Sequence, residues 1–226
     1  MKQLYFTRAF SLLGIVYFLI CAPNGVAAQK PTVLKAALPQ SQVNSGASST
    51  INLDKSTGTV EFKAVGKPGI IKINGVGANS TGTIVFRGEK VSGVQSFKMD
   101  TLVTGISLRD KHMKEKYLET EKYPDAHLKM TRLEAPIELI GKDGTRDSIP
   151  FEGLLSLHGV EKPIQGVAKW KTQGASSGTP QVDLTCSFDI KITDFKINVP
   201  TFAGITVTDK VSVTVHALAP LEFSQL

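Results

Sequence analysis

The chain has 226 residues, with 26 Lys and Arg against 20 Asp and Glu, a formal net charge of +6, and 41% hydrophobic residues. Charges of both signs are scattered, and no run of five or six like charges occurs, which disfavours nucleic-acid binding. The length and apolar content suit one domain that buries a sizeable core.

The first 28 residues have the layout of a secretory signal peptide. Lys2 and Arg8 precede the apolar run 9–22, and residues 26–28 (Val-Ala-Ala) place small side chains where a signal peptidase needs them. A membrane anchor is the weaker interpretation, because the apolar run is shorter than the ~20 residues of a bilayer-spanning helix. We therefore expect cleavage after Ala28 and a periplasmic or secreted protein.

Cleavage would remove Lys2, Arg8 and no acidic residue, which lowers the net charge to +4. It would also remove Cys21 and leave Cys186 alone, so no intrachain disulfide can form and a core must stabilise the fold. Lipid attachment at Cys21 is disfavoured because bulky Ile20 precedes it.

Residues 29–52 are rich in Pro, Ser, Gln, Ala and Gly without periodicity, which predicts a flexible leader. From 53 to 220, short alternating apolar and polar runs are broken by turn residues, and we assign this range to one all-β domain. The clearest strand is 184–192, where every second residue is apolar and one face is therefore dry. The same period of two marks Val60/Phe62/Ala64, Ile71/Ile73, Ile84/Phe86, Phe97/Met99, Leu128/Met130, Phe151/Gly153/Leu155/Leu157, Ala168/Trp170 and Val211/Val213/Val215/Ala217.

These runs predict about nine strands. Many one-sided strands with turns such as 142–144 (Lys-Asp-Gly) fit either a sheet closed on itself or two packed sheets. Gly75, Gly77 and Gly82 lack the spacing of a phosphate-binding loop and are expected to form bulges or bends that curve the sheet.

Residues 107–118 lack strand alternation and predict a short amphipathic helix. Ser107 and Asp110, three residues apart, are spaced as an N-terminal capping box. Met113 and Tyr117 fall on one side of this helix. Two interpretations stay open: a lid that gates a ligand, or a helix that seals the end of a barrel as part of its core.

Three blocks of this sequence resemble the YceI-like family. Residues 109–113 (Arg-Asp-Lys-His-Met) and 121–124 (Glu-Lys-Tyr-Pro) are similar to its RD-x-H-L and EKYP motifs at fitting spacing. Residues 153–163, with His158-Gly159 and Lys162-Pro163, are similar to its strand-and-turn motif, and 192–197 with 208–211 to its closing hairpin. The sequence departs at Met113, at 116–118, and at Lys196, where the family often has Gly.

The resemblance implies a lipocalin-like, eight-stranded antiparallel β-barrel with one short helix. It also implies a periplasmic, non-catalytic protein whose interior binds a polyisoprenoid, such as a quinone tail or a prenyl alcohol. We expect no other cofactor, and from the mildly basic charge we expect at most transient contact with a membrane surface. The cavity candidates, chosen as apolar residues on inward faces or on the helix, are Phe62, Ile84, Phe86, Phe97, Met99, Met113, Tyr117, Leu128, Met130, Phe151, Leu155, Trp170, Leu184, Phe188 and Ile190. A barrel filled by these same side chains, without a lipid ligand, is the alternative.

Four polar residues are candidates for the barrel mouth: Arg109, Asp110, His112 and His158. His112 is the better functional candidate, whereas His158 in a turn and the charged pair on the helix favour structural roles. The histidines form no short-spaced pair with another metal ligand, and no Gly-x-Ser-x-Gly elbow or similar nucleophile signature occurs, so we expect neither a metal site nor an enzyme. Cys186, on an apolar face, is expected to be a buried hydrophobe.

Overall fold

The computed structural model describes residues 49–68, 71–202 and 204–223, and antiparallel strands make up most of this described part. The predicted signal peptide 1–28 and residues 29–48 of the predicted leader lie outside this range. The strands within it are β1 (Ser49–Lys67), β2 (Ile71–Arg87), β3 (Lys90–Lys98), β4 (Asp125–Leu133), β5 (Gly144–Leu157), β6 (Val160–Gln173), β7 (Gln181–Lys191), β8 (Thr201–Phe202), β9 (Ile205–Val207), β10 (Lys210–Pro220) and β11 (Glu222–Phe223).

Eight of these strands form a closed ring. Strands β1 to β6 each pair antiparallel with the next strand of the chain, and β10 closes the ring by pairing with both β7 and β1. In this register Val213 of β10 lies opposite Phe62 of β1 and Phe188 of β7. The prediction of an eight-stranded antiparallel barrel is therefore confirmed, and the alternative of two packed sheets is not what the chain adopts.

Two strand predictions need correction. Ile71/Ile73 and Ile84/Phe86 belong to one long strand, β2, because the Gly- and Asn-rich stretch between them stays paired with β1. Strand β1 begins at Ser49, so residues 49–52, which we assigned to the leader, are paired with β2 as well.

Two glycines of β2 make room for aromatic rings rather than forming bulges. A Cβ atom at Gly75 would collide with the Phe62 ring, and one at Gly77 with the Phe97 ring. Both glycines lie in unbroken register with β1, whose irregularity falls between Leu53 and Thr59 instead. The two rings therefore lie over these glycines on the inner side of the sheet.

A helical segment lies between β3 and β4, as predicted. It comprises α1 (Ser107–His112) and a π-helical turn, Met113–Tyr117. The predicted capping box is wrong: the N-cap residue is Ile106, and no side chain caps the helix. None of the described helices is both long and apolar enough to cross a membrane. Short 3₁₀ turns occur at Met99–Thr101, Ile137–Leu139 and Ile192–Phe195.

The core fills the end of the barrel away from this helix. Trp170 is fully buried, meets the edge of the Phe86 ring with 5.1 Å between centroids, and donates its indole N–H to the Thr172 hydroxyl at 2.8 Å. Phe151 and Phe188 also meet edge to face, at 6.1 Å. Such pairs stabilise a packed interior beyond the burial of their area.

Candidate functional site

A cavity of about 440 Å³ lies inside the barrel at the end that carries the helix. Every strand of the ring except β6 contributes to its wall, and the helical segment and β8 and β9 contribute to its mouth. The volume falls in the range of about 300–1,000 Å³ that small-molecule sites occupy. Its wall is apolar apart from six polar or amphipathic residues: Gln95, Thr104, Arg109, His112, Tyr117 and Thr201.

Most of the predicted cavity residues lie in this wall. They are Phe62, Phe97, Met99, Met113, Tyr117, Leu128, Leu155, Phe188 and Ile190. The inward faces of β1, β3, β4, β5 and β7 carry most of them, because alternate residues of a strand point to the same side. Their contact with a ligand stays a prediction.

Six predicted cavity residues lie outside the wall: Ile84, Phe86, Met130, Phe151, Trp170 and Leu184. They point inward as predicted, but the large rings of Trp170, Phe86 and Phe151 fill the far end of the barrel. Ile84, Met130 and Leu184 border only a second gap of about 20 Å³. The barrel is therefore hollow at the end that carries the helix and filled by side chains at the other end. Each of the two interpretations left open by the sequence holds for one end of the barrel.

Cys186 also borders that second gap and behaves as the buried hydrophobe that we expected. Burial raises the pKa of its thiol to about 12. A thiol in this state is a poor nucleophile at neutral pH, because the thiolate is the reactive form.

Part of the wall lies outside the cavity residues predicted from the sequence. Strand β10 contributes Val211, Val213 and Val215, which the alternation placed on one face but which were not among the predicted cavity residues. Phe202 and Ile205 at the mouth carried no signal, because β8 and β9 are too short to show a period of two.

Two of the four polar mouth candidates, Arg109 and His112, line the cavity. Asp110 does not: its carboxylate accepts hydrogen bonds from the Thr104 amide at 2.7 Å and from the Thr104 hydroxyl. Arg109 also donates to Thr104, from Nε to the hydroxyl at 2.6 Å and from a terminal nitrogen to the carbonyl at 2.9 Å. The charged pair thus fastens the start of the helix to the loop before it.

The environment of Asp110 favours its charged form. Burial, the largest single influence, opposes ionisation, but the two Thr104 hydrogen bonds and the charges of Arg109 and Lys114 together hold the pKa of this carboxyl below its usual value of 3.8. Its stabilising contacts are thus present at neutral pH and weaken only as the pH falls below about 4.

His158, the fourth candidate, lies outside the cavity and has a structural position. Its buried ring contacts the Phe195 carbonyl through Nδ1 at 3.1 Å and the Glu119 carboxylate through Nε2 at 2.8 Å. The Tyr123 ring lies 4.3 Å away between centroids. The residue therefore ties the end of the helical segment to the connection that follows β7.

The helical segment and the β8–β9 hairpin meet across the mouth. The Tyr117 hydroxyl donates to the Thr201 carbonyl and accepts from the Thr201 amide, both at 3.2 Å. The His112 and Phe202 rings meet edge to face, with 5.4 Å between centroids. Since Met113 and Tyr117 line the cavity as well, this helix covers the opening.

Lys196 has a left-handed backbone, with φ of 60°. This conformation suits glycine best, as expected for a position where the motif described above has Gly. The departure from the motif therefore leaves the turn intact.

Solved structures share this fold. A polyisoprenoid-binding domain from Saccharophagus degradans, described as implicated in plant cell wall breakdown, is 17% identical over 76% of this chain and 98% of its own, with a TM-score of 0.55. BcnA from Burkholderia cenocepacia is 14% identical over 74% and 99%, with a TM-score of 0.57. The YceI protein of Campylobacter jejuni is 19% identical over 68% and 87%, with a TM-score of 0.54.

Sequence comparison leads to the same family. No curated protein matches the sequence. The family model of the YceI-like domain, however, matches residues 51–219, which is most of the chain and covers the eight strands of the ring except the first two residues of β1 and the last of β10. Together with the motifs around Arg109 and His158 and the eight-stranded barrel, this match shows that the chain belongs to the YceI-like family.

Proposed function

We propose that this protein binds one long-chain polyisoprenoid, or a similar amphiphilic lipid, in its barrel cavity, outside the cytoplasm and without catalysing a reaction. The observation that carries the proposal is the cavity itself, about 440 Å³ with an apolar wall whose polar side chains lie mostly at the mouth. Membership of the YceI-like family and the polyisoprenoid-binding domain of similar fold support it.

The physical chemistry of the wall suits a hydrocarbon tail. Burial of apolar groups contributes about 0.8 kcal/mol for each methylene, so several prenyl units would bind tightly without a polar anchor. Ordering the flexible tail subtracts from this gain. Arg109 and His112 at the mouth can donate hydrogen bonds to the oxygens of a headgroup or quinone ring.

The test is native mass spectrometry, with organic extraction, of protein purified from the bacterium that exports it. We expect a long-chain lipid at close to one molecule per chain. Protein that carries no lipid and takes up none when offered prenyl alcohols or quinones would contradict the proposal and favour a barrel without a ligand.

The proposed location depends on the signal-peptide layout of residues 1–28. N-terminal sequencing of the exported protein should begin at Gln29. A mature form that begins at a lipid-modified Cys21 would replace this proposal with an anchored lipoprotein.

A further inference from the structure

Large apolar side chains stand exposed around the cavity mouth. Ile71 is 39% exposed, Ile106 53%, Leu108 54% and Phe202 57%, and all four also line the cavity. The other exposed large apolar residues among those described do not line it. Leaving such a group in water costs free energy, and a contiguous apolar patch with a polar border marks an interaction surface.

The segments that carry these exposed apolar side chains are rich in cationic residues. We define the rim as residues 71–72, 105–118 and 201–202. Within it stand five cationic residues, Lys72, Arg109, Lys111, Lys114 and Lys116, against two acidic ones, Asp110 and Glu115. Asp110 is already bonded to Thr104, and Lys72, Lys111 and Lys116 are exposed to solvent. The rim therefore presents a net positive charge beside its apolar side chains.

We propose that the rim is a membrane-docking surface, which seats the mouth of the barrel on an anionic bilayer. Apolar side chains flanked by lysines are the composition of protein surfaces that enter the interface between headgroups and acyl chains. The positive charge complements anionic headgroups, and the exposed Phe202 and Leu108 enter the acyl boundary.

The position of the rim argues for a bilayer as the partner. The exposed side chains border the opening of an apolar cavity, so docking would join the acyl region of a membrane to the cavity wall. On the proposed function, a lipid could then enter or leave without crossing water. Entry of a lipid by this route rests on the proposed function, but docking itself is measurable without a bound lipid.

The experiment is flotation of the purified protein with vesicles of phosphatidylcholine alone or with phosphatidylglycerol added. We expect binding to the anionic vesicles, weakened by salt. Leu108→Ser with Phe202→Ser should lower this binding about tenfold or more. Ile137→Ser, which removes an exposed isoleucine from the β4–β5 connection, should leave it unchanged.

A charge series tests the lysines separately. Lys72→Gln and Lys111→Gln should each lower binding to anionic vesicles about fivefold. Lys90→Gln and Lys142→Gln are the matched controls, since Lys90 begins β3, Lys142 lies in the β4–β5 connection, and both are exposed outside the rim. The N-terminal segment is the same in all variants. A difference in vesicle binding between them therefore reports on the rim and not on that segment.

Insertion is measured by fluorescence, which keeps the test decisive if a serine variant fails to fold. Emission of Phe202→Trp should shift to the blue on anionic vesicles, and that of Ile137→Trp should not, against the constant background of buried Trp170. No vesicle binding, or equal loss in rim and control variants, would overturn docking. If the wild-type protein binds the vesicles but never carries a lipid, the proposed function is refuted and the docking proposal stands.

Discussion

Filling the cavity should displace the ligand and spare the fold, and two methionines provide a matched test. Met99 and Met130 are buried to the same degree, 5% and 6% exposed. Met99 lines the cavity of about 440 Å³, whereas Met130 borders a gap of about 20 Å³, room for about one water molecule. A tryptophan at each position thus meets empty space in one case and packed atoms in the other.

We expect Met99→Trp to lower the extractable lipid at least severalfold while it changes the free energy of unfolding by less than about 1 kcal/mol, because the indole takes the place of the tail. Met130→Trp should instead overpack the core and cost about 1–3 kcal/mol. With a urea slope near 2 kcal/mol per M, that cost lowers the midpoint by roughly 0.5–1.5 M.

The assay pairs lipid per mole of protein with the urea midpoint, measured on lipid-stripped samples so that bound ligand does not stabilise one of them. The result that refutes the reasoning is a large loss of stability in Met99→Trp with unchanged lipid content. It would mean that Met99 lies in solid core and that the cavity does not extend to it.

Three further predictions follow from single contacts. Because burial raises the pKa of the Cys186 thiol from 9.0 to about 12, wild-type stability should fall relative to Cys186→Val as the pH rises from about 9 toward 12, and parallel pH profiles in urea unfolding would contradict this. His158→Phe should cost about 1–3 kcal/mol, because it leaves the carbonyl of buried Phe195 without this partner and removes the contact with Glu119. His127→Phe at an exposed site should stay within about 0.5 kcal/mol, and equal costs by urea unfolding would refute the buried role. Gly75→Ala should push the Phe62 ring into the cavity and reduce the extractable lipid, and wild-type lipid content would show that the ring is not held there.

The inward faces of the strands could be read from the sequence because a strand alternates its side chains strictly. Residues such as Phe188 and Ile190, two apart, had to share a face whatever the sheet became. Closure of the sheet could not be read in this way, since a sandwich and a barrel have the same one-sided alternation. The prediction of a closed barrel came from the motifs around Arg109 and His158, which resemble those of the YceI-like family.

The alternation of apolar residues does not show which inward residues border empty space. Phe97 and Phe151 alternate alike, yet one lines the cavity and the other packs against Phe188. The difference depends on what each ring meets across the barrel, and thus on pairings between distant strands. Trp170 fills its end of the barrel together with Phe86, which is 84 positions away in the chain.

Short sequence motifs also gave wrong predictions where tertiary contacts used the same side chains. Ser107 and Asp110 have the spacing of a capping box, but the Asp110 carboxylate bonds to Thr104 in the preceding loop and is not available to the helix start. Phe202 lies in a two-residue strand whose place at the mouth follows from its pairing with β9. The position of Phe202 at the mouth therefore cannot be predicted from the local sequence.

The proposed function requires that the cavity holds a lipid tail. Its most direct test is a crystal structure of the protein purified with its native ligand. We predict continuous elongated electron density that starts near Arg109 and His112 and runs between Phe97, Phe188 and Val213. An empty or water-filled cavity in protein that still carries extractable lipid, with the lipid bound elsewhere, would contradict the account.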